Sequence, residues 1–137
     1  MNYVNTFIQV APDTSAKEAT VPVPKAGKKS IAVLEYELIS KKPYTYTQEE
    51  VQFAVHVQRQ GTSARELKAR RSELWQEFFS KPRACMRSSP LAKTYGWGLH
   101  FNTEGRVALV PIESTDYERF ASSQSIKHTR AMRSKRA

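Results

Sequence analysis

The stretch Tyr95-Gly-Trp-Gly-Leu-His-Phe101, followed by an Asn-Thr-Glu-Gly turn and the apolar run 107–112, predicts a β-hairpin. In its first strand, Trp97 and His100 point to opposite faces because side chains alternate along a strand. Pro111 lacks a backbone donor, so it places the second strand at an edge of its sheet or ends the pairing there. The fold is therefore expected to contain an antiparallel sheet.

Two further segments have clear patterns. Residues 3–10 predict a strand, because β-branched residues alternate along them. Residues 64–79 predict the clearest helix, which begins after a capping box formed by Ser63 and Glu66. One apolar stripe runs along this helix. It consists of Leu67, Leu74, Trp75 and Phe78, with Phe79 at its edge.

Two segments fit either a helix or a strand. In 31–40, Ser30 can cap a helix that Pro43 ends, but apolar residues also alternate there. In 48–59, the same alternation competes with a capping box that begins at Thr47. We prefer a helix for both segments, because each has a cap at the expected position. A short helix from Thr115 completes the pattern.

These elements predict a single α+β domain over residues 1–121. Its small antiparallel sheet has about three strands, at 3–10, 97–101 and 107–112, and helices cover one face of it. The basic tail 122–137 has little apolar content and is expected to fray.

The composition indicates an intracellular protein. The 137 residues are 39% hydrophobic, which is enough for one core. The start of the chain has neither a basic segment nor an apolar segment of a secretory signal, and no apolar run is long enough to span a bilayer. Cys85 is the single cysteine, which fits a reducing compartment. We therefore expect a cytoplasmic protein without membrane contact.

Positive charge is concentrated in two segments. The net charge of the chain is +9. The summed charge of residues 59–93 and 127–137 is larger than this, so the remaining residues together are slightly acidic. Such asymmetry favours an anionic partner, for example nucleic acid, although a high pI can also serve solubility alone. The leading hypothesis is thus a non-catalytic binding protein. Its anion-binding candidates are Arg83, Arg87, Lys127, Arg130, Arg133, Lys135 and Arg136.

A second hypothesis is a pocket beside the glycine-rich strand, in a small enzyme or ligand-binding protein. Glycines around an aromatic residue permit close approach of a ligand, although they can equally accommodate the bulk of a core tryptophan. Polar residues on apolar arcs, or near basic residues, could supply its chemistry. The candidates are Tyr95, Trp97, His100, Glu35, Arg71, Cys85 and His56.

Glu35 lies within the apolar arc of its helix, so its carboxyl group must pair, protonate or face a cavity. Arg71 occupies a similar place on the long helix and could pair with it across a helix interface. Cys85 has Arg83 and Arg87 nearby in sequence, which could favour a thiolate, but a lone cysteine is more often a packed residue.

Other classes of site have less support. The three histidines lie far apart in sequence, and neither a Cys-x-x-Cys nor a His-Glu-x-x-His motif is present, so we expect no metal site. We also expect no cofactor. A third hypothesis, an adaptor or homodimer built on an exposed strand edge, is open.

Several stretches together resemble a bacterial family catalogued as domain of unknown function 6157. The resemblance covers nearly the whole chain, implies a stand-alone single-domain protein and assigns no activity. The stretches are Met1-Asn-Tyr-Val-Asn-Thr-Phe-Ile8, Val10-Ala-Pro-Asp13, Pro43-Tyr-Thr-Tyr-Thr47, Ala84-Cys-Met-Arg-Ser-Ser-Pro-Leu91, Tyr95-Gly-Trp-Gly98 with His100, and Arg130-Ala-Met-Arg-Ser-Lys-Arg136.

Overall fold

The computed structural model describes residues 2–134 of the chain. Lys135 and Arg136 lie outside the described residues. In chain order the elements are β1 (Thr6–Gln9), α1 (Ile31–Lys41), α2 (Gln48–Arg59), α3 (Ala64–Phe79), a 3₁₀ turn (Met86–Ser88), α4 (Pro90–Lys93), β2 (Trp97–Phe101), β3 (Val107–Pro111), α5 (Thr115–Ser122) and β4 (Lys127–Arg130). The α+β class is confirmed, and the elements form one compact domain.

The strands form one mixed sheet in the order β3-β2-β1-β4. β2 is antiparallel to both β1 and β3, whereas β4 runs parallel to β1. The prediction of about three antiparallel strands therefore missed β4, which is the one parallel strand of this sheet. The reason is chemical: β4 is a polar edge strand, so it lacks the apolar alternation that marks a half-buried strand. Pro111 does lie in an edge strand, as expected.

Backbone hydrogen bonds attach the beginning of the basic tail to the sheet. Lys127 N donates to Asn5 O at 2.9 Å, and Ala131 N donates to Gln9 O at 2.8 Å. Ala131 is only 2% exposed. Residues 127–131 are thus paired with the sheet, whereas the sequence pattern suggested a tail that frays beyond Ser122.

The helical choice for α1 and α2 is confirmed. Ser30 Oγ accepts from Val33 N at the start of α1. Thr47 and Glu50 form the reciprocal capping box at the start of α2. These side chains satisfy backbone N–H groups that a helix otherwise leaves without partners at its first turn.

Helices pack on both faces of the sheet, which differs from the predicted one-sided arrangement. On one face, α1, α2 and α4 enclose the main core with Ile8, Leu99 and Phe101 of the strands. On the other face, Phe7 contacts Phe120 of α5, with ring centroids 5.6 Å apart. The aromatic residues of α5 thus cover a surface that its short sequence pattern did not reveal. Within residues 2–134, none of the helices is long and apolar enough to cross a membrane.

Candidate functional site

A cleft lies between α2, the C-terminal end of α3 and the segment 80–89. It holds a cavity of about 420 Å³, called here the α3 cavity, and one of about 240 Å³, called the Glu35 cavity. His56, Phe78 and Arg83 line both of them. Arg83 also lines a third cavity of about 220 Å³ beside Cys85. This arginine therefore borders three neighbouring cavities.

Glu35 lines the Glu35 cavity from α1 and is only 6% exposed. Ser89 Oγ donates a 2.7 Å hydrogen bond to its Oε1. Burial raises the pKa of Glu35 from 4.5 to about 7, and the Ser89 hydrogen bond opposes that rise. The carboxyl group is thus poised between its neutral and charged forms near neutral pH.

The second oxygen of Glu35 is available to a ligand. Oε2 has no hydrogen-bond partner among residues 2–134, and no Lys or Arg nitrogen there lies within 4 Å of this carboxyl group. Every fully buried side-chain nitrogen or oxygen in the same part of the chain does have a partner. Oε2 is therefore not sealed in the core, and Glu35 is one of the residues that line the Glu35 cavity.

Local hydrogen bonds fix the position of Ser89. Its hydroxyl oxygen accepts from Leu91 N and so caps α4, whose first residue is Pro90. Three residues earlier, Met86 N donates to Gln48 Oε1 at 2.6 Å, which attaches the 3₁₀ turn to α2. Because the hydroxyl oxygen is occupied as an acceptor, its proton is free to point at Glu35.

The cationic side of the cleft contains two arginines. Arg83 Nε donates to Phe78 O at 2.9 Å, and its guanidinium lies 4.0 Å from the centroid of the Phe78 ring. Arg59, an exposed residue at the end of α2, lines the Glu35 cavity. Neither side chain forms an ion pair with a carboxylate of residues 2–134. Both charges are therefore available to a bound anion.

His56 lies beside these arginines. Its ring centroid is 4.4 Å from that of Phe78. Burial lowers the pKa of His56, and the positive charges of Arg83 and Arg59 lower it further. A neutral imidazole near pH 7 lets His56 accept a hydrogen bond as well as donate one.

Much of the positive charge of α3 is neutralised within the helix, as its sequence predicts. Arg70 lies within 4 Å of carboxylate oxygens of Glu66, Glu73 and Glu77. These exposed ion pairs join residues of the same helix. The anion-binding potential of residues 59–93 therefore depends on the other basic residues.

Glu35 and Arg71, which the sequence suggested could pair, form no ion pair with each other. Arg71 lies over the ring of Phe53, 5.4 Å from its centroid, and lines a different cavity of about 370 Å³. The apolar stripe of α3 packs on α2, and this places Arg71 over Phe53 of α2 rather than beside Glu35.

The glycine-rich strand is separated from this cleft. Trp97 Nε1 donates to Thr20 O at 2.8 Å, and the ring contacts Tyr36. The carbonyl of Tyr95 accepts from Thr20 N, so it anchors the same loop. A Cβ at Gly98 would lie 2.8 Å from the Phe7 ring, so this glycine makes room for a core side chain. The group that approaches Gly98 closely is thus the Phe7 ring of the protein itself, and not a ligand in a pocket.

His100 is buried on the sheet face that α5 covers. Tyr44 Oη lies 2.8 Å from its Nδ1, and the ring stacks on Phe120 with centroids 4.0 Å apart. Burial lowers the pKa of His100, and the charge of Arg119 adds to the effect. Of the seven predicted pocket residues, the structure brings Glu35 and His56 together and places His100, Trp97 and Arg71 elsewhere.

Cys85 lies next to the cleft. Tyr3 Oη donates to its Sγ at 3.1 Å, and burial, followed by the contact with Cys85, raises the pKa of Tyr3 to about 12. The thiol therefore has a phenol as its neighbour, which is not a base at neutral pH.

The other anion-binding candidates differ in their contacts. Arg87 Nε donates to Arg130 O at 2.7 Å, and Met132 N donates to Arg87 O, so Arg87 attaches the 3₁₀ turn to the end of β4. The side chains of Lys127, Arg130 and Arg133 are exposed.

Two contributors to the cleft were not predicted. Arg59 follows Gln52 and His56 at the i, i+4, i+7 spacing of one helix face. This polar stripe in the sequence could have predicted that the three side chains lie on the same side of α2. Ser89 carries no comparable signal, since its contact with Glu35 joins residues 54 positions apart.

The fold and its cleft define a small single-domain α+β protein with an arginine-lined cavity over a buried carboxyl group. The chain belongs to the family of unknown function DUF6157, whose model matches residues 1–137, the whole length. Comparison with curated proteins and with solved structures gives no match.

Proposed function

We propose that this protein binds an anionic ligand in the cleft between α2 and segment 80–89. Arg59 and Arg83 are the anion contacts in this proposal, and His56 is a neutral hydrogen-bonding neighbour. The observation that carries it is the pair of arginines beside one cavity without carboxylate partners among residues 2–134.

The position of Arg83 favours recognition. Its Nε is occupied by the Phe78 carbonyl and its plane lies over the Phe78 ring, which limits the conformations of a long side chain. The terminal nitrogens then remain for a ligand. A pre-positioned guanidinium loses less entropy on binding than a free one, and its planar fork suits carboxylate or phosphate oxygens.

We propose binding rather than catalysis. Cys85, the single cysteine of the chain, has a phenol rather than a base against its sulfur. A nucleophilic cysteine requires a nearby base or a lowered pKa. His56 packs against Phe78, and the contacts described for it include no carboxylate that would orient its ring for proton transfer.

The test compares two double variants with the same change of charge. R59Q/R83Q removes the proposed contacts, and K127Q/R130Q removes two exposed charges of β4. Titration with tripolyphosphate at low salt should show at least ten-fold weaker binding for R59Q/R83Q and little change for K127Q/R130Q. No binding to the wild type, or equal weakening in both variants, overturns the proposal.

A second candidate is nucleic-acid binding along the basic edge of the sheet. Lys127, His128 and Arg130 are exposed on β4, and Arg133 follows them. Such an edge could neutralise phosphates with steep dependence on salt. Labelled RNA and DNA should bind at about 50 mM salt, and K127Q/R130Q should weaken this binding. Lack of any binding under that condition excludes this candidate.

A cytoplasmic location and a possible homodimer stay predictions. The composition motivates the prediction of a cytoplasmic location, and cell fractionation tests it.

The exposed edge of β4 motivates the prediction of a homodimer, because a free strand edge can pair with another chain. A monomer mass by light scattering at high protein concentration would exclude the homodimer.

A further inference from the structure

We infer that the Glu35 cavity takes a small bipolar molecule, with an anionic group at Arg59 and Arg83 and an amino group at Glu35. This inference rests on the proposed anion site and extends it, because it assigns the opposite end of the ligand. The ligand class is a short aminocarboxylate or aminophosphate.

The Glu35 cavity is lined by side chains of both charges. Two arginines line it, and a carboxyl group without an ionic partner lines it as well. Apolar walls, among them Ile31, Val55 and Phe78, complete the lining. A cavity with separate cationic and acidic groups and apolar walls complements a molecule that carries both signs on a short apolar body.

Glu35 has one carboxyl oxygen without a hydrogen-bond partner among residues 2–134. The carboxyl group is almost fully buried, and Ser89 serves only its Oε1, at 2.7 Å. Oε2 has no hydrogen-bond partner among residues 2–134, and every fully buried side-chain nitrogen or oxygen there does have one, so Oε2 is open to a ligand. A ligand N–H group would donate a hydrogen bond to it, and a charged amine would also supply a counter-charge.

The size of the cavity restricts the ligand. Its volume of about 240 Å³ is below the roughly 300–1,000 Å³ of sites for drug-sized molecules. A molecule of a few carbon atoms fits this space better than a nucleotide. Polymers can reach Arg59 and Arg83 from outside, but they would leave Glu35 without a partner.

The protonation state of Glu35 gives the inference a second readout. An amine binds the charged carboxylate, so binding competes with the proton that Glu35 holds below neutral pH. The other charged and titratable groups that line the same cavity are His56 and Arg59 from α2 and Arg83 from segment 80–89. The arginines keep their charge in this range, and an H56Q variant removes the histidine titration.

The experiment uses straight-chain ω-aminocarboxylates from glycine to 6-aminohexanoate as probes. Each probe is matched with the carboxylate of equal length that lacks the amino group and with the amine that lacks the carboxylate. Binding is followed by NMR titration of the whole protein. At least one aminocarboxylate should bind at least ten-fold more tightly than both of its matched controls.

Variants separate this inference from the proposed function. E35Q should abolish the advantage of the amino group and leave the plain carboxylates unchanged, whereas R59Q/R83Q should weaken both kinds of probe. In H56Q, the affinity for the aminocarboxylate should still rise between pH 5.5 and 8. If anions bind but the amino group adds nothing, or if E35Q binds the aminocarboxylate like the wild type, this inference is wrong and the anion site stands. If no anion binds in the cleft, both are wrong.

Discussion

The hydroxyl of Ser89 donates to Glu35 Oε1 at 2.7 Å and thereby joins the first turn of α4 to the buried face of α1. This contact holds one carboxyl oxygen in place and leaves the other without a hydrogen-bond partner among residues 2–134. It costs stability to keep such a group charged, because burial raises its pKa to about 7 while the unfolded value is near 4.5.

The raised pKa of Glu35 predicts a pH-dependent loss of stability. Between these two values the folded state binds more protons than the unfolded state, so the contribution of Glu35 to folding is full below pH 4.5 and is lost as pH rises through 7. At about 1.4 kcal/mol per pH unit, the loss approaches ~3 kcal/mol. Urea unfolding at pH 5 and pH 8 should show it in the wild type and not in E35Q.

Comparison with E35Q cancels the titration of the histidines, which are present in both proteins. E37Q is a second control, because Glu37 is an exposed neighbour on α1 that pairs with Lys29. An equal loss of stability in wild type and E35Q would show that Glu35 is charged in the folded state at pH 5.

Two histidines should titrate below their ordinary pKa of 6.5, each for a separable reason. Burial is the largest cause of the lowered pKa at both histidines; Arg83, followed by Arg59, lowers the pKa of His56 further, and Arg119 lowers that of His100 further. In NMR titrations, R83Q should raise the pKa of His56 and leave that of His100 unchanged, and R119Q should do the reverse. If R83Q leaves the pKa of His56 unchanged, Arg83 does not face the cleft as described.

Gly98 should not tolerate a side chain. A Cβ there would lie 2.8 Å from the Phe7 ring and 2.9 Å from Tyr117, in a packed core. Overpacking of this kind costs about 1–3 kcal/mol, so G98A should lower the free energy of unfolding by such an amount. G61A is the comparison, since a Cβ at Gly61 meets nothing within 4 Å and costs only the strain of its positive φ. A thermal shift in G98A no larger than in G61A would contradict the packing.

Ala131 should be essential for attaching the end of the chain to the sheet. It is 2% exposed in the main core, whereas the next side chain, Met132, is 49% exposed. A131E buries a charge and should destabilise the protein by more than about 2 kcal/mol. M132E should change stability by less than about 0.5 kcal/mol. Similar denaturation midpoints for both variants would show that the segment after β4 is not packed.

The sequence predicts α2 correctly from its capping box, and the structure explains why its apolar pattern was ambiguous. Val51 and Val55 face the main core, whereas Phe53 and Val57 face α3. Each pair has i, i+4 spacing, and two interleaved helical faces look like the alternation of a strand. The burial of Glu35 could be predicted in the same way, from its place on an apolar arc.

Other features depend on contacts that a local pattern does not contain. Strand β4 is polar, so only its pairing with β1 identifies it. The separation of Arg71 from Glu35 follows from the packing of α3 on α2, and the partner of Glu35 is a serine far away in the sequence. Long-range pairing and packing decide these points, whereas periodicity and capping report only local geometry.

The most direct test of the arginine-lined cleft is an amide chemical-shift map of the wild-type protein titrated with tripolyphosphate. The largest shifts should fall in two segments, residues 56–61 at the end of α2 and residues 80–89. Shifts confined to residues 127–133, or no saturable shifts at all, would contradict this prediction.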